Sequence, residues 1–217
     1  MNLSNLDLNI NQLIELTTDM MDKCEFIVAK AVDAMVAKDI EGSKDVLLLD
    51  DDIDNLRNII REKSIELIAL KQPLARDLRI IHALGTIAME LERIGDYSVN
   101  IAMETIKIGM DEYVEELIDI PKMKDVSISM LRSVKKALET KDDKLAHKTG
   151  LQDDIIDDLY NDVYVDALRA MHKDSKNINQ GVKLLAVGRY LERIGDHITN
   201  ICGFVIYAIK GEMIEIE

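Results

Sequence analysis

Tryptophan is absent from this 217-residue chain, phenylalanine occurs twice and tyrosine six times. That scarcity argues against an aromatic-rich sheet core and leaves Leu, Ile, Val, Met and Ala, which pack well along helices. Proline is equally sparse, with only Pro73 and Pro121 to interrupt a helix. Cys24 and Cys202 lie far apart, and no CxxC pair or Cys/His cluster accompanies them. A disulfide framework and a zinc knuckle are therefore not expected, and both cysteines read as buried free thiols. No apolar run reaches the ~20 residues that a membrane span needs, the longest late one being 201–209. The amino terminus, MNLSNLDLNINQL, has neither the basic region nor the apolar stretch of a secretory signal, so a cytoplasmic location is expected. A basic arm is also missing: 27 Lys and Arg stand against 41 Asp and Glu, for a formal charge of −14. Such a field repels nucleic acid and anionic lipid and favours cations and basic protein surfaces.

What the chain does contain is a duplication. Residues 91–102 read LERIGDYSVNIA, and 191–202 read LERIGDHITNIC, identical at eight of twelve positions. The shared polar residues Glu92, Asp96 and Asn100, and Glu192, Asp196 and Asn200, are spaced i, i+4, i+8, which on a helix makes one oxygen-bearing stripe per copy. Apolar periodicity supplies the helices: Leu13, Leu16, Met20, Cys24, Ile27, Ala31 and Ala34 in the first, and Val46, Leu49, Ile53, Leu56, Ile60 and Leu67 in the second. The third follows Pro73, placed at its first position, and presents Leu84, Ala88, Leu91, Ile94, Ser98 and Ile101 to the core. In the second copy, helices are expected over 122–139, 142–173 and 175–210, the last entered by a Ser or Asp cap. The fold expected is all-α, with six helices in two tandem pseudo-symmetric three-helix bundles, 1–110 and 121–217, joined by a linker at 111–120.

A second acidic element recurs, Asp50 and Asp54 in the first copy and Asp153 and Asp157 in the second. In an antiparallel hairpin, residues equidistant from the turn lie at one height. Asp54 with Glu92, and Asp50 with Asp96, share a midpoint at Pro73; Asp157 with Glu192, and Asp153 with Asp196, share one between Asp174 and Ser175. Two independent hairpins thus bring four carboxylates face to face. At about 5 Å and an effective dielectric of about 20, each pair repels by roughly 3 kcal/mol, which a cation would relieve. Carboxylate and amide oxygens are hard ligands suited to magnesium, manganese, calcium or iron, and bridging carboxylates can hold more than one ion. The alternative stays open: Glu62 with Glu66, and Glu112 with Glu116, show the same spacing without a repeat partner, and such pairs often face water.

The other candidates carry less. His197 has Tyr97 as its counterpart, and His82, His147 and His172 have no repeated partners. None of the four follows a Glu or Asp by three residues, as a ferritin-like di-iron enzyme requires, though a carboxylate-bridged hydrolytic metalloenzyme remains an alternative. Arg93 and Arg193 read as exposed helix arginines bonded to neighbouring carboxylates. No phosphate-cradling GxxxxGK[ST] loop occurs, and Gly95 and Gly195 lie inside helices, where a missing side chain suits close approach.

LERIGD twice, QPLARDLR at 72–79, the paired DxxxD elements and the two-copy length together resemble the PhoU family, over nearly the whole chain. The resemblance implies six helices in two repeats and multinuclear iron or zinc clusters on acidic motifs. It assigns metal roles to Asp50, Asp54, Glu92 and Asp96 and to Asp153, Asp157, Glu192 and Asp196, with Asn100 and Asn200 as additional ligands read from the helix stripe. It further implies a non-enzymatic, homodimeric negative regulator of phosphate uptake and the phosphate-starvation response. The expected partners are the ATPase of the phosphate ABC transporter, which would hold the protein peripherally at the inner face of the membrane, and a sensor histidine kinase. The second copy has DSKNINQG where the first has QPLARDLR, so no equivalent partner contact is expected there. A metal-free helical adaptor is the remaining alternative.

Overall fold

Long apolar stripes and few breakers produce rods. The computed structural model describes residues 5–216 and contains α1 (Asn5–Ala37), α2 (Ile40–Lys71), α3 (Ala75–Ile108), α4 (Asp119–Thr140), α5 (Asp143–Gly150), α6 (Asp153–Lys173) and α7 (Ile178–Lys210). No strand occurs among the described residues. The segments α5 and α6 together form one rod, so six rods build two three-helix bundles.

The expected unbroken helix over 142–173 is corrected at Leu151 and Gln152. Gln152 N–H bonds Thr149 O and Ile155 N–H bonds Gln152 O, both i to i−3, so the rod tightens into a 3₁₀-like turn there. Gly150, a weak helix former, sits at the break where the first copy has Leu47. A side chain on Gly150 has no room, because Ile216 of the carboxyl-terminal tail folds back against it. Pro73 is also displaced from its expected place: α3 begins at Ala75, after left-handed Gln72 and extended Leu74 have reversed the chain. At the other turn Asp174 does cap, accepting from Lys176 N–H at 2.9 Å, but what it caps is a 3₁₀ turn over Ser175–Asn177, and α7 itself begins at Ile178 without a side-chain cap.

A third duplicated element marks the first turn of each bundle. Lys38 and Lys141 both take left-handed backbone (φ 54° and 55°). Each is followed by an aspartate that caps the next helix, Asp39 accepting from Gly42 N–H and Asp142 from Leu145 N–H. Replacing Asp39 by Ala is expected to cost about 1 kcal/mol in a denaturant titration, with Asp142→Ala costing a similar amount.

The bundles share one core. Helices α3 and α7 form the most extensive pairing in the molecule. They run antiparallel, as contacts of His82 with Tyr207, Tyr97 with Tyr190, and Lys107 with Lys183 require. Beside them α1 and α4 are also antiparallel, and charge aligns them: Asp22 meets Lys135 at 2.5 Å, Glu25 meets Arg132 at 2.6 Å and Asp33 meets Lys124 at 2.8 Å. A pseudo-dyad therefore passes between the four inner helices and exchanges the bundles. Cys24 and Cys202 are both buried free thiols, and burial pushes both thiols up. Among the described residues, no helix is long and apolar enough to cross a membrane.

Candidate functional site

Each bundle exposes the seam between its second and third rods, and the duplicated carboxylates lie along it. The glycine of each LERIGD is what lets them in. A methyl group on Gly95 would collide with Asp50 Oδ1, and one on Gly195 would collide with Asp153 Oδ1 and press on Ile156. The missing side chain thus makes room for an aspartate of the facing helix, lowered onto helix backbone at the same point in both copies.

The electrostatics follow from that placement. Asp50 is raised from 3.8 to about 6, first by burial and then by repulsion from Asp54, Asp96 and Glu92. Asp153 is raised to about 7 by burial, then by Asp196 and Asp157, with Glu192 adding to them. Burial and then Asp196 also raise Asp157 and Glu192. The structure therefore places Asp50 within electrostatic reach of Asp54, Asp96 and Glu92 in one bundle, and Asp153 within reach of Asp196, Asp157 and Glu192 in the other.

Arginines offset part of this charge. Arg93 donates to Asp96 at 3.0 Å and lies 3.5 Å from Glu92; Arg193 donates to Asp196 at 2.8 Å. A second arginine enters from a different helix in each copy. Arg57 of α2 lies 3.5 Å from Glu92 and 3.9 Å from Asp54, whereas Arg189 of α7 makes a short bond with Glu192 and lies over the Tyr160 ring. Sequence reasoning did not single out Arg57 or Arg189. Their signal was present, since Arg57 follows Asp54 by three positions and Arg189 precedes Glu192 by three, the spacing of a helical ion pair.

The two amide candidates behave differently from the carboxylates. Asn200 borders an open groove with Asp153 and Asp196, but its amide donates to Glu90 Oε2 of α3 at 3.1 Å. It is thus committed across the bundle interface, where His197 Nδ1 lies 2.7 Å from the same oxygen. Burial alone would raise Glu90, but the bonds from His197 and Asn200 hold it below its ordinary value. The pseudo-dyad carries this Glu90/His197 pair onto Tyr190/Tyr97, whose rings stand 5.9 Å apart, so a hydrogen-bonded polar pair on one side replaces an aromatic pair on the other. Asn100 is half-buried on the α3 stripe, one turn beyond Asp96.

The donor set is all oxygen, which suits a hard cation. In the second copy Asp153 Oδ1 and Glu192 Oε2 are buried acceptors without a hydrogen bond, an arrangement a cation would satisfy. In the first copy the unsatisfied buried atoms are donors, Arg57 Nε beside the cluster and Arg79 Nε away from it. Among the described residues, no three His, Cys, Asp or Glu side chains are arranged to hold an ion as they stand. Holding a cation there would require the carboxylates to move inward and the arginines to give way.

Comparisons with known proteins agree with the duplication. A family model described as the PhoU domain matches twice, at 17–105 and at 120–205. A phosphate-specific transport system accessory protein PhoU homolog of Clostridium acetobutylicum is 32% identical over 210 residues, covering 95% of this chain and 96% of that one. Its namesake in Deinococcus radiodurans is 26% identical over 206 residues, covering 95% and 97%. The crystal structure of PhoU from Pseudomonas aeruginosa superposes with a TM-score of 0.91 at 26% identity, covering 96% of this chain and all of that chain. The phosphate transport system regulatory protein PhoU from Streptococcus pneumoniae gives 0.90 at 26% identity, covering 97% and 99%.

Proposed function

Because the chain belongs to the PhoU family, we propose that it is an accessory regulator of phosphate transport that restrains uptake and the phosphate-starvation response when phosphate is plentiful. The observation that carries this reading is the family match in both copies, joined to relatives that are similar over nearly the full length of both chains. The protein acts from the cytoplasm as a non-enzymatic adaptor and homodimer, meeting the transporter ATPase and a sensor histidine kinase. Its charge of −14 favours basic surfaces on those partners and speeds the encounter.

The two carboxylate clusters bind metal in this reading. Asp50, Asp54, Glu92 and Asp96 hold one site, and Asp153, Asp157, Glu192 and Asp196 the other, with Asn100 and Asn200 at their margins. Bound metal supplies fixed positive charge that ties the second rod of each bundle to the third. Gly95 and Gly195 keep the aspartates of the facing helix within reach of it, while Arg93 and Arg193 neutralise Asp96 and Asp196 until it arrives. The orphaned oxygens make the second site the better fit. A second reading, a metal-free adaptor, is favoured by those same arginine pairs, which already offset part of the charge.

Deleting the gene in the source cell tests the regulatory reading. Phosphate accumulation or phosphate-regulon expression should rise in phosphate-rich medium, and wild-type protein should restore repression. Unchanged uptake, polyphosphate and regulon expression would overturn it. An Asp96→Ala, Asp196→Ala double variant with an intact fold separates the two metal readings: lost repression makes the clusters functional, and full repression assigns function to the adaptor alone.

A further inference from the structure

After α7, Gly211 at φ 83° reverses the chain, and residues 212–216 run back over the second bundle without helix or strand. Two glycines shape their path. A Cβ on Gly203 would lie 3.5 Å from Ile214 O, and at Gly150 the three atoms nearest to such a Cβ all belong to Ile216. The first copy has side chains at both places, Met103 for Gly203 and Leu47 for Gly150, and Leu47 packs against the core there. Ile216 therefore supplies from outside the rod what Leu47 supplies from within. Among the described residues no hydrogen bond or ion pair holds 212–216, so the apolar contacts of Ile214 and Ile216 stand against the entropy of ordering five residues, two quantities of the same order.

We propose that residues 212–216 are a releasable strap, and that in its seat the strap steadies Asp153 for the second carboxylate site. The connection is short. The Thr199 hydroxyl donates to Gly150 O at 3.4 Å and is within hydrogen-bonding reach of Asp153, while Ile216 walls the groove of about 520 Å³ that Asp153, Asp196 and Asn200 border. Gly150 also precedes the 3₁₀-like turn from which α6 and Asp153 start. With the strap seated, Asp153 is held against its repelling neighbours; once the strap leaves, the end of the rod is free to carry it away from them. Metal at the second site and the seated strap therefore favour each other by the same factor, and the first site, whose Leu47 cannot leave, has no such control. That coupling rests on the metal-binding reading, and the strap itself does not.

A spin label on Met213→Cys reads the strap directly, since Met213 is exposed, whereas Cys24 and Cys202 are buried thiols pushed up by burial and stay unlabelled. The paramagnetic resonance spectrum should contain a slow and a fast component. Adding Gly150→Leu, which copies Leu47 of the first bundle, should leave only the fast one. In a separate unlabelled protein, Gly150→Cys with Ile216→Cys should close a disulfide, because a Cβ on Gly150 lies 3.5 Å from Ile216 Cβ. Manganese is then titrated in the Asp96→Ala background, which isolates the second site. The locked pair should bind it about tenfold more tightly than either Gly150→Leu or a chain ending at Gly211. Label mobility indifferent to Gly150→Leu overturns the strap, and equal manganese affinities overturn its coupling to Asp153. If none of these proteins binds manganese, the coupling falls with the metal reading, while the spin label still decides the strap.

Discussion

Asp153→Asn is expected to stabilise the metal-free protein near neutral pH and, in the same molecule, to remove the stabilisation that metal gives at the second site. Asp153 is pushed from 3.8 to about 7 in the folded state. Between those values the folded protein keeps a proton that the unfolded chain has released, so its contribution to stability is complete below about pH 4 and lost as pH rises through 7. Converted in full, that displacement is about 4 kcal/mol, and solvent screening at this half-buried site reduces the expected gain from Asn to about 2 kcal/mol. In a chain of this size that corresponds to a melting temperature higher by about 4–8 °C near pH 7.5, shrinking toward pH 4. Manganese at about a hundred times its dissociation constant should add about 2.7 kcal/mol per occupied site to the wild-type protein, and the variant should keep only the gain from the first site. Asp50→Asn should act in the same direction but less strongly, because Asp50 is raised only to about 6. Thermal melts across pH with and without metal check both signs. A variant less stable than wild type in the absence of metal would contradict the repulsion on which the site is argued.

The second large effect concerns the shared core. Leu91 is fully buried in α3, in the first LERIGD, and its carbonyl accepts from the Cys24 thiol at 3.3 Å. Leu91→Ala should cost about 3–5 kcal/mol. Because α3 packs against α7 across the pseudo-dyad, the loss should not stay in the first bundle. Calorimetry should show one transition, moved down by roughly 6–20 °C as a unit. A split into two transitions, one at the wild-type temperature, would mean that the bundles fold independently.

Much of this was legible in the sequence because a duplicated helix repeats its physics. The apolar stripe of 84, 88, 91, 94, 98 and 101 is buried in α3 as the period requires. The shared midpoint at Pro73 placed Asp50 near Asp96, which needs only the antiparallel geometry of a hairpin. What failed depended on contacts made from afar. The tightening at Leu151 and Gln152 accompanies Ile216 packing on Gly150, and no local window connects residues so distant in sequence. Stripe periodicity sees only its own helix, so it gave no sign that the Asn200 amide also donates to Glu90 on the other bundle. Gly95 and Gly195 were read as points of close helix approach, and the closest group turned out to be the facing carboxylate. Arg57 and Arg189 escaped attention because they are not duplicated, although each sits three positions from a duplicated acid.

We propose that the duplicated carboxylates are two metal sites. The most direct test is elemental analysis of protein purified without chelator, combined with anomalous scattering from its crystals after loading with manganese, iron or zinc in turn. Ions are expected on both seams, beside Glu92 and beside Glu192, with the first lost in Asp96→Ala and the second retained. Failure of all three metals to bind at saturation, with Arg93 and Arg193 still paired to Asp96 and Asp196, would contradict it.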